Sequence, residues 1–172
     1  MPNLILNLGI TQFKLIIIGA NEVVAMKIAV GSDERTHLTD FVIEELKKRG
    51  IELELHGPLT GEPIQWVEVA EKVAERVADG ACDQGILFCW TGTGVSMAAN
   101  KVPGIRAALC PDAETARGAR KWNDANVLAM SLRLTSPIVA NEILEAWFSE
   151  SPEKEEIPNI ERVRSIEKKY SR

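Results

Sequence analysis

Histidine is the scarcest chemistry in this 172-residue sequence: His37 and His56 are the only two. Acid–base or metal-ligand work built on imidazole therefore has little to draw on. The three cysteines, Cys82, Cys89 and Cys110, are too few and too unevenly spaced for a disulfide framework or a paired zinc site, which fits a reducing cytoplasm. A basic surplus is missing as well: 20 Lys and Arg stand against 25 Asp and Glu, a net charge of -5. Without a basic face there is nothing to neutralise a phosphate backbone, so no nucleic-acid partner is expected. Nor is there an apolar run long enough to cross a membrane. The 45% hydrophobic content excludes disorder, and the length corresponds to about one domain.

Residues 1–25 are apolar with Lys14 as their only cation. Their longest apolar run, Leu15 to Ile18, is too short for a membrane span, and they lack the basic start and small-residue cleavage site of a secretory signal. Met26 opens Met-Lys-Ile-Ala-Val-Gly, which reads as the start of a first strand. Residues 1–25 are therefore expected to be an extension or a start called too early, and 26–172 the domain.

From Lys27 onward, strand-like and helix-like stretches alternate. Ile28–Val30 reads as a buried strand ending at Gly31-Ser32-Asp33. Thr39 or Asp40 can cap the helix that follows, with Gly50 as its stop. Ile51, Leu53 and Leu55 alternate with glutamates, as in a half-solvated strand. A Gly57–Pro63 loop holding His56 at its edge precedes a helix with Trp66, Val69, Ala70, Val73 and Val77 on its apolar face. Gly85–Cys89 is an uninterrupted apolar strand, as expected when both faces are covered. A glycine turn and a helix from Ser96 to Asn100 follow. Ile105–Cys110 and Asn126–Ser131 read as strands, and Ala113–Lys121, Pro137–Phe148 and Ile160–Tyr170 as helices. Trp147 and Phe148 are expected in the core or at a subunit contact. This alternation predicts an α/β, Rossmann-like three-layer sandwich with a mostly parallel sheet. In such sheets ligands collect at the carboxyl ends of the strands. Asp33, Cys89 and the Cys110–Asp112 turn stand at three of those ends.

The densest motif is Cys89-Trp90-Thr91-Gly92-Thr93-Gly94-Val95-Ser96-Met97. Two glycines between a strand and a helix let backbone N–H groups approach an anion. A dinucleotide fingerprint is one reading, with Asp112 as its acidic residue, but Met97 stands where a third glycine belongs. No lysine follows the glycines as a triphosphate loop requires. Cys89, at a strand end and before a helix, is either a thiolate base or nucleophile of lowered pKa or a small buried apolar residue.

Four segments carry a resemblance: Lys27–Asp33; Gly85–Cys89 with Thr91-Gly92-Thr93-Gly94; Ala98–Ala108; and Asn123–Leu128. From Met26 to Arg172 the chain resembles the type-B ribose-5-phosphate isomerase family, which includes the galactose-6-phosphate isomerase subunits. The resemblance implies a dimer or tetramer with active sites completed by the partner subunit, the Ile160–Tyr170 helix packing on that partner. It implies aldose–ketose isomerisation of a sugar phosphate through a cis-enediol(ate), without metal or organic cofactor. Cys89 would be the base and Thr91 its assistant. The amides around Gly92, Thr93 and Gly94 would hold the enediolate, and Asp33 and Asn123 would bind hydroxyls.

The departures from the family pattern bear on substrate. Glu34 and Trp122 replace two histidines, the second of which opens the sugar ring, and Trp90 replaces a glycine. A tyrosine–proline pair is replaced around Gln65-Trp66. Aligning on Ile166–Tyr170 puts Glu155 and Asn159 at the places of two phosphate-gripping arginines, with Arg162 and Arg164 nearby. Arg133 could reach a phosphate, His37 could replace a lost histidine, and Arg106 should lie at the site's edge. The expected function is an isomerase of altered preference, acting on a short or open-chain substrate such as a tetrulose phosphate. The alternative is a non-catalytic or redirected binder of a small metabolite, its pocket narrowed by Trp90 and Trp122.

Overall fold

The computed structural model describes residues 25–170, so the expectation for the leading segment falls, Ala25 apart, outside the described residues. Five strands, β1 (Lys27–Ser32), β2 (Glu52–His56), β3 (Gln84–Cys89), β4 (Ala107–Leu109) and β5 (Val127–Ser131), form one sheet in the order β2-β1-β3-β5-β4. Every pairing is parallel. The helices are α1 (His37–Lys48), α2 (Trp66–Ala78), α3 (Thr93–Ala99), α4 (Ala113–Asn123), α5 (Pro137–Ser149) and α6 (Ile157–Tyr170).

Both faces of the sheet are covered, which is why its central strands read as unbroken apolar runs. Ile28, Val30, Ile86, Phe88, Leu128 and Met130 pack with α1, α4 and α5 through Val42, Leu46, Ala116, Ile143 and Trp147. The alternate residues Ala29, Leu87, Val127 and Ala129 pack with Val73, Ala74, Val95 and Ala99 of α2 and α3. The second layer lies unusually close. A Cβ at Gly31 would meet Val69 and Val73 at 2.7 Å, and one at Gly85 would meet Val73 at 2.8 Å. Glycine at these two positions lets α2 rest against the backbone of β1 and β3. Trp147 is fully buried, its indole N–H satisfied by Gln84 Oε1 at 2.7 Å.

Local chemistry moves several boundaries. The cap of α1 is Thr36, not Thr39 or Asp40. Thr36 Oγ1 accepts from the Thr39 amide while Thr39 Oγ1 accepts from the Thr36 amide, a reciprocal box. The strand expected from Ile105 to Cys110 shrinks to Ala107–Leu109, since Arg106 N–H donates to Asn126 Oδ1 instead of a ladder partner. His56 ends β2 rather than lying in a loop, its Nε2 3.3 Å from Glu54 Oε1. The following loop winds into a 3-10 turn, Gly57–Thr60. Helix α3 begins at Thr93, earlier than expected, and α6 at Ile157.

Candidate active site at the carboxyl ends of β1 and β3

Chain direction across the sheet reverses between β1 and β3: β1 leads outward to β2, and β3 leads the other way to β4. Connections that part in opposite directions leave a crevice at the carboxyl edge of those two strands. Ser32 pairs with Phe88, so the next residues, Asp33 and Cys89, emerge level with each other. Strand alternation turns both toward the α2/α3 layer, the side occupied by Ala29 and Leu87.

Cys89 is 5% exposed. Its carbonyl accepts from the Gly92 amide at 3.2 Å and the Leu132 amide at 3.0 Å, pinning the turn to the end of β5. Gly92 takes φ 75° as the N-cap of α3. A Cβ there would meet Leu109 Cδ1 at 2.5 Å and the Met130 carbonyl carbon at 3.0 Å, so both conformation and space demand glycine. The Thr91 and Thr93 hydroxyls lie 2.7 Å apart. Beyond them, the first-turn amides of Thr93, Gly94 and Val95 find no acceptor among the described residues, as expected at a helix start. The Trp90 carbonyl accepts from Ser131 Oγ at 2.9 Å and from the Arg133 amide at 3.1 Å. That leaves the Trp90 ring 58% exposed at the mouth. Arg133 is exposed at the same edge, with no side-chain ion pair among the described residues.

Asp33 borders a cavity of about 390 Å³ shared with Pro58, Gly61, Pro63, Ile64, Gln65 and Glu68. Its Oδ1 is buried without a hydrogen-bond partner. Burial, with the neighbouring Glu34 charge adding to it, holds the carboxyl above the usual aspartate range, although its own backbone amide counters this. Glu34 is exposed, its amide and carbonyl tied to Ser32 Oγ. A buried acceptor left without a partner, in a residue that lines a cavity, calls for an explanation such as a bound hydroxyl donor.

Other expected residues lie elsewhere. Helix α4 starts beyond the carboxyl end of β4 and returns to the start of β5, so Trp122 and Asn123 sit at the opposite edge of the sheet. Ser131 pairs with Cys89, and the four steps from Val127 to Ser131 alone span roughly 13 Å. Trp122 folds back onto its own helix, its ring 2.6 Å from where a Gly118 Cβ would stand, and is 52% exposed. It therefore narrows no pocket around Cys89 in its own chain. Arg106 belongs to that far edge as well, held by Asp124 Oδ2 at 2.9 Å. Asn123 lines a second cavity there with Val163, Ile166 and Tyr170 of α6. Glu155 lies in a 3-10 turn before α6, and Asn159 donates to Glu156. His37 is exposed at the first position of α1.

The dinucleotide reading loses its acidic residue. Asp112, the acidic residue of the dinucleotide reading, caps α4 by accepting from the Thr115 amide at 2.7 Å. Cys110 is buried and its thiol is pushed up to about 12 by that burial, which makes it inert. Sequence reasoning noted Gln65-Trp66 only as a departure from the family pattern, and missed Glu68 as a wall of the Asp33 cavity and the position of Trp66. Helical spacing assigns Trp66 to the core. It instead opens α2 with 42% of its surface exposed and its ring against Gly94. The signal was its place at a helix start beside the carboxyl edge of a parallel sheet.

Comparison with known proteins agrees with this geometry. Residues 28–166 match a family described as Ribose/Galactose Isomerase. The chain is 41% identical over 124 residues to Ribose-5-P isomerase B of Listeria innocua, covering 72% of this chain and 84% of that protein. It is 38% identical over 125 residues to D-erythrulose-4-phosphate isomerase of Pectobacterium atrosepticum, covering 72% and 82%. The solved ribose-5-phosphate isomerase B of Clostridium thermocellum superposes with a TM-score of 0.79 at 41% identity, covering 85% of this chain and all of the other. A match of this breadth, on a sheet that sets Asp33 beside Cys89, means that the chain belongs to the ribose/galactose isomerase family.

Proposed function

We propose that the protein isomerises a short or open-chain sugar phosphate between its aldose and ketose forms through a cis-enediol(ate). One observation carries the reading: Asp33 and Cys89 stand level at the topological switch, next to a turn whose first amides are unsatisfied. Cys89, as thiolate, removes the proton on the carbon beside the carbonyl. Electron density moves to the carbonyl oxygen, and the amides of the Gly92–Gly94 turn stabilise the charge that develops there. The hydroxyl proton of the adjacent carbon passes to the former carbonyl oxygen within the cis-enediol(ate), and the new C=O forms on that adjacent carbon. The thiol returns its proton to the former carbonyl carbon, with the Thr91 hydroxyl steadying the sulfur. Asp33 accepts from a substrate hydroxyl with the carboxylate that borders the cavity. Arg133, unpaired at the same edge, holds the phosphate. No step calls for a metal, and a working thiolate suits the reducing cytoplasm.

Asn123 can serve such a site only from a second copy, because its own chain keeps it on the opposite edge of the sheet. A homodimer or homotetramer with shared sites follows from this reading. A tetrulose phosphate is the favoured substrate because it cannot close the usual sugar ring. It needs no ring-opening histidine at the position of Trp122. That the Pectobacterium relative bears the name of an erythrulose-phosphate isomerase supports the choice.

The test is exchange of the substrate's α-proton with deuterated water, followed by NMR on erythrulose 4-phosphate and ribulose 5-phosphate. Exchange by the wild type and its loss in Cys89→Ser is the expected result. If neither compound nor its aldose exchanges, the isomerase reading fails. The exposed Glu34 beside Asp33 favours a second reading, a redirected binder without turnover. It expects a ligand-induced rise in melting temperature with no proton exchange.

A further inference from the structure

Trp66 is a large aromatic group that touches the glycine turn from another element, at Gly94. It is the first residue of α2, far in sequence from the turn it meets. A Cβ placed on Gly94 would stand 3.0, 3.2 and 3.3 Å from three atoms of the indole. The ring therefore lies against the bare backbone of Gly94, in the space any side chain there would claim. Its remaining surface is 42% exposed, so core burial does not account for its position. Asp33 shares its cavity with Gln65 and Glu68, the neighbours of Trp66 on α2.

From this contact we infer that Trp66 is a positioning residue, holding the turn from Thr91 to Ser96 in the shape in which its amides converge. The physical need is plain. Thr93, Gly94 and Val95 present amides with no internal acceptor, and glycine confers no side-chain packing of its own to hold them. Donors stabilise a developing charge well only when their positions are set before the reaction. The opposite side of the turn is already fixed by the Leu109 and Met130 contacts at Gly92 and by the carbonyl bonds at Cys89 and Trp90. The indole closes the remaining side. The role rests on the proposed isomerase reading for its consequence in turnover, but not for its consequence in the turn.

The test uses the full chain with Trp66→Leu, Trp66→Phe, Gly94→Ala and the double variant Gly94→Ala/Trp66→Leu. Exchange of the hydrogen-bonded Gly92 and Ser96 amides, measured without substrate, should quicken about tenfold in Trp66→Leu and stay near wild type in Trp66→Phe. On a substrate the wild type turns over, Trp66→Leu should lower kcat about 10–100-fold with KM within about twofold, because misplaced donors cost the transition state first. Trp66→Phe should recover most of that loss, and melting temperatures should stay close together. Gly94→Ala displaces the ring, so its effect and that of Trp66→Leu should be strongly non-additive in the double variant. Exchange unchanged within twofold in Trp66→Leu, or independent effects in the double variant, overturns the role. If the wild type turns over no sugar phosphate, the exchange measurement still decides it.

Discussion

At the carboxyl ends of β1 and β3, Asp33, Cys89, Thr91 and the glycine turn arrive on rigid neighbouring strands and match the family pattern. At the far end of α4 and along α6 the pattern has been rewritten. Trp122 stands for a histidine, and Glu155 and Asn159 stand where the alignment expects arginines. The two regions differ in what they have to build. The first, on the reading proposed above, must place a base beside unsatisfied amides, and sub-ångström placement leaves little room for change. The second, on the same reading, is offered to another chain's site and selects the substrate end, and there a change of charge or bulk alters preference without dismantling the base. Change reaches the first region too, at Glu34, Trp90 and Gln65-Trp66, but there it surrounds the base without replacing it.

The sharpest way to break this comparison is to separate the halves between chains. Cys89→Ser and Asn123→Ala proteins, each expected to lose about 10²–10⁴-fold and about tenfold in turnover respectively, should recover activity when unfolded together and refolded as a mixture. Mixed pairs then contain one site with both groups intact, whereas activity equal to the sum of the separate variants would show that the halves act within one chain. Next in size, Arg133→Ala should raise KM for a phosphorylated substrate about 10–100-fold while leaving an unphosphorylated analogue unaffected. Equal losses on both would remove the phosphate role. Trp122→His should then improve use of a ring-closing aldose phosphate about tenfold relative to a tetrulose phosphate, read as a ratio of kcat/KM values.

The smallest effect lies outside both regions. Glu54 is gripped by Arg76 at 2.6 and 3.1 Å and by Lys27 at 3.1 Å. These partners, the Arg76 hydrogen bonds first, hold its carboxyl down at about 2 against an ordinary value of 4.5. A depressed carboxylate stabilises the fold above its unfolded pKa and loses that contribution as pH falls through the folded one. Glu54→Gln should therefore lower Tm at neutral pH by about 2–4 °C. The difference from wild type should shrink between pH 4.5 and about 2.

Most of the fold was legible because the strands are short, apolar and regularly spaced. Gly85–Cys89 and Asn126–Ser131 could be placed almost to the residue. The boundaries that moved depended on side-chain bonds invisible to periodicity: the Thr36–Thr39 box, and Asn126 taking the amide of Arg106. At the site, Asp33, Cys89 and the glycine turn could be read from motif and strand end. Trp66 could not, because helical spacing treats every apolar residue on one face alike. Only the three-dimensional course of α2 shows that its first turn overhangs Gly94. The sequence named Trp122 and Asn123 as site residues but not their place in their own chain, since periodicity does not say at which edge of the sheet a helix ends.

That last placement reaches beyond geometry. A strand's length between Asn123 and Cys89 makes catalysis, on the reading proposed here, a property of encounter as well as of folding. Specific activity should then fall as the protein is diluted past its association midpoint, while the circular dichroism of each chain stays the same. For such a molecule the cell sets the rate twice, once by the supply of substrate and once by how much of the protein it makes.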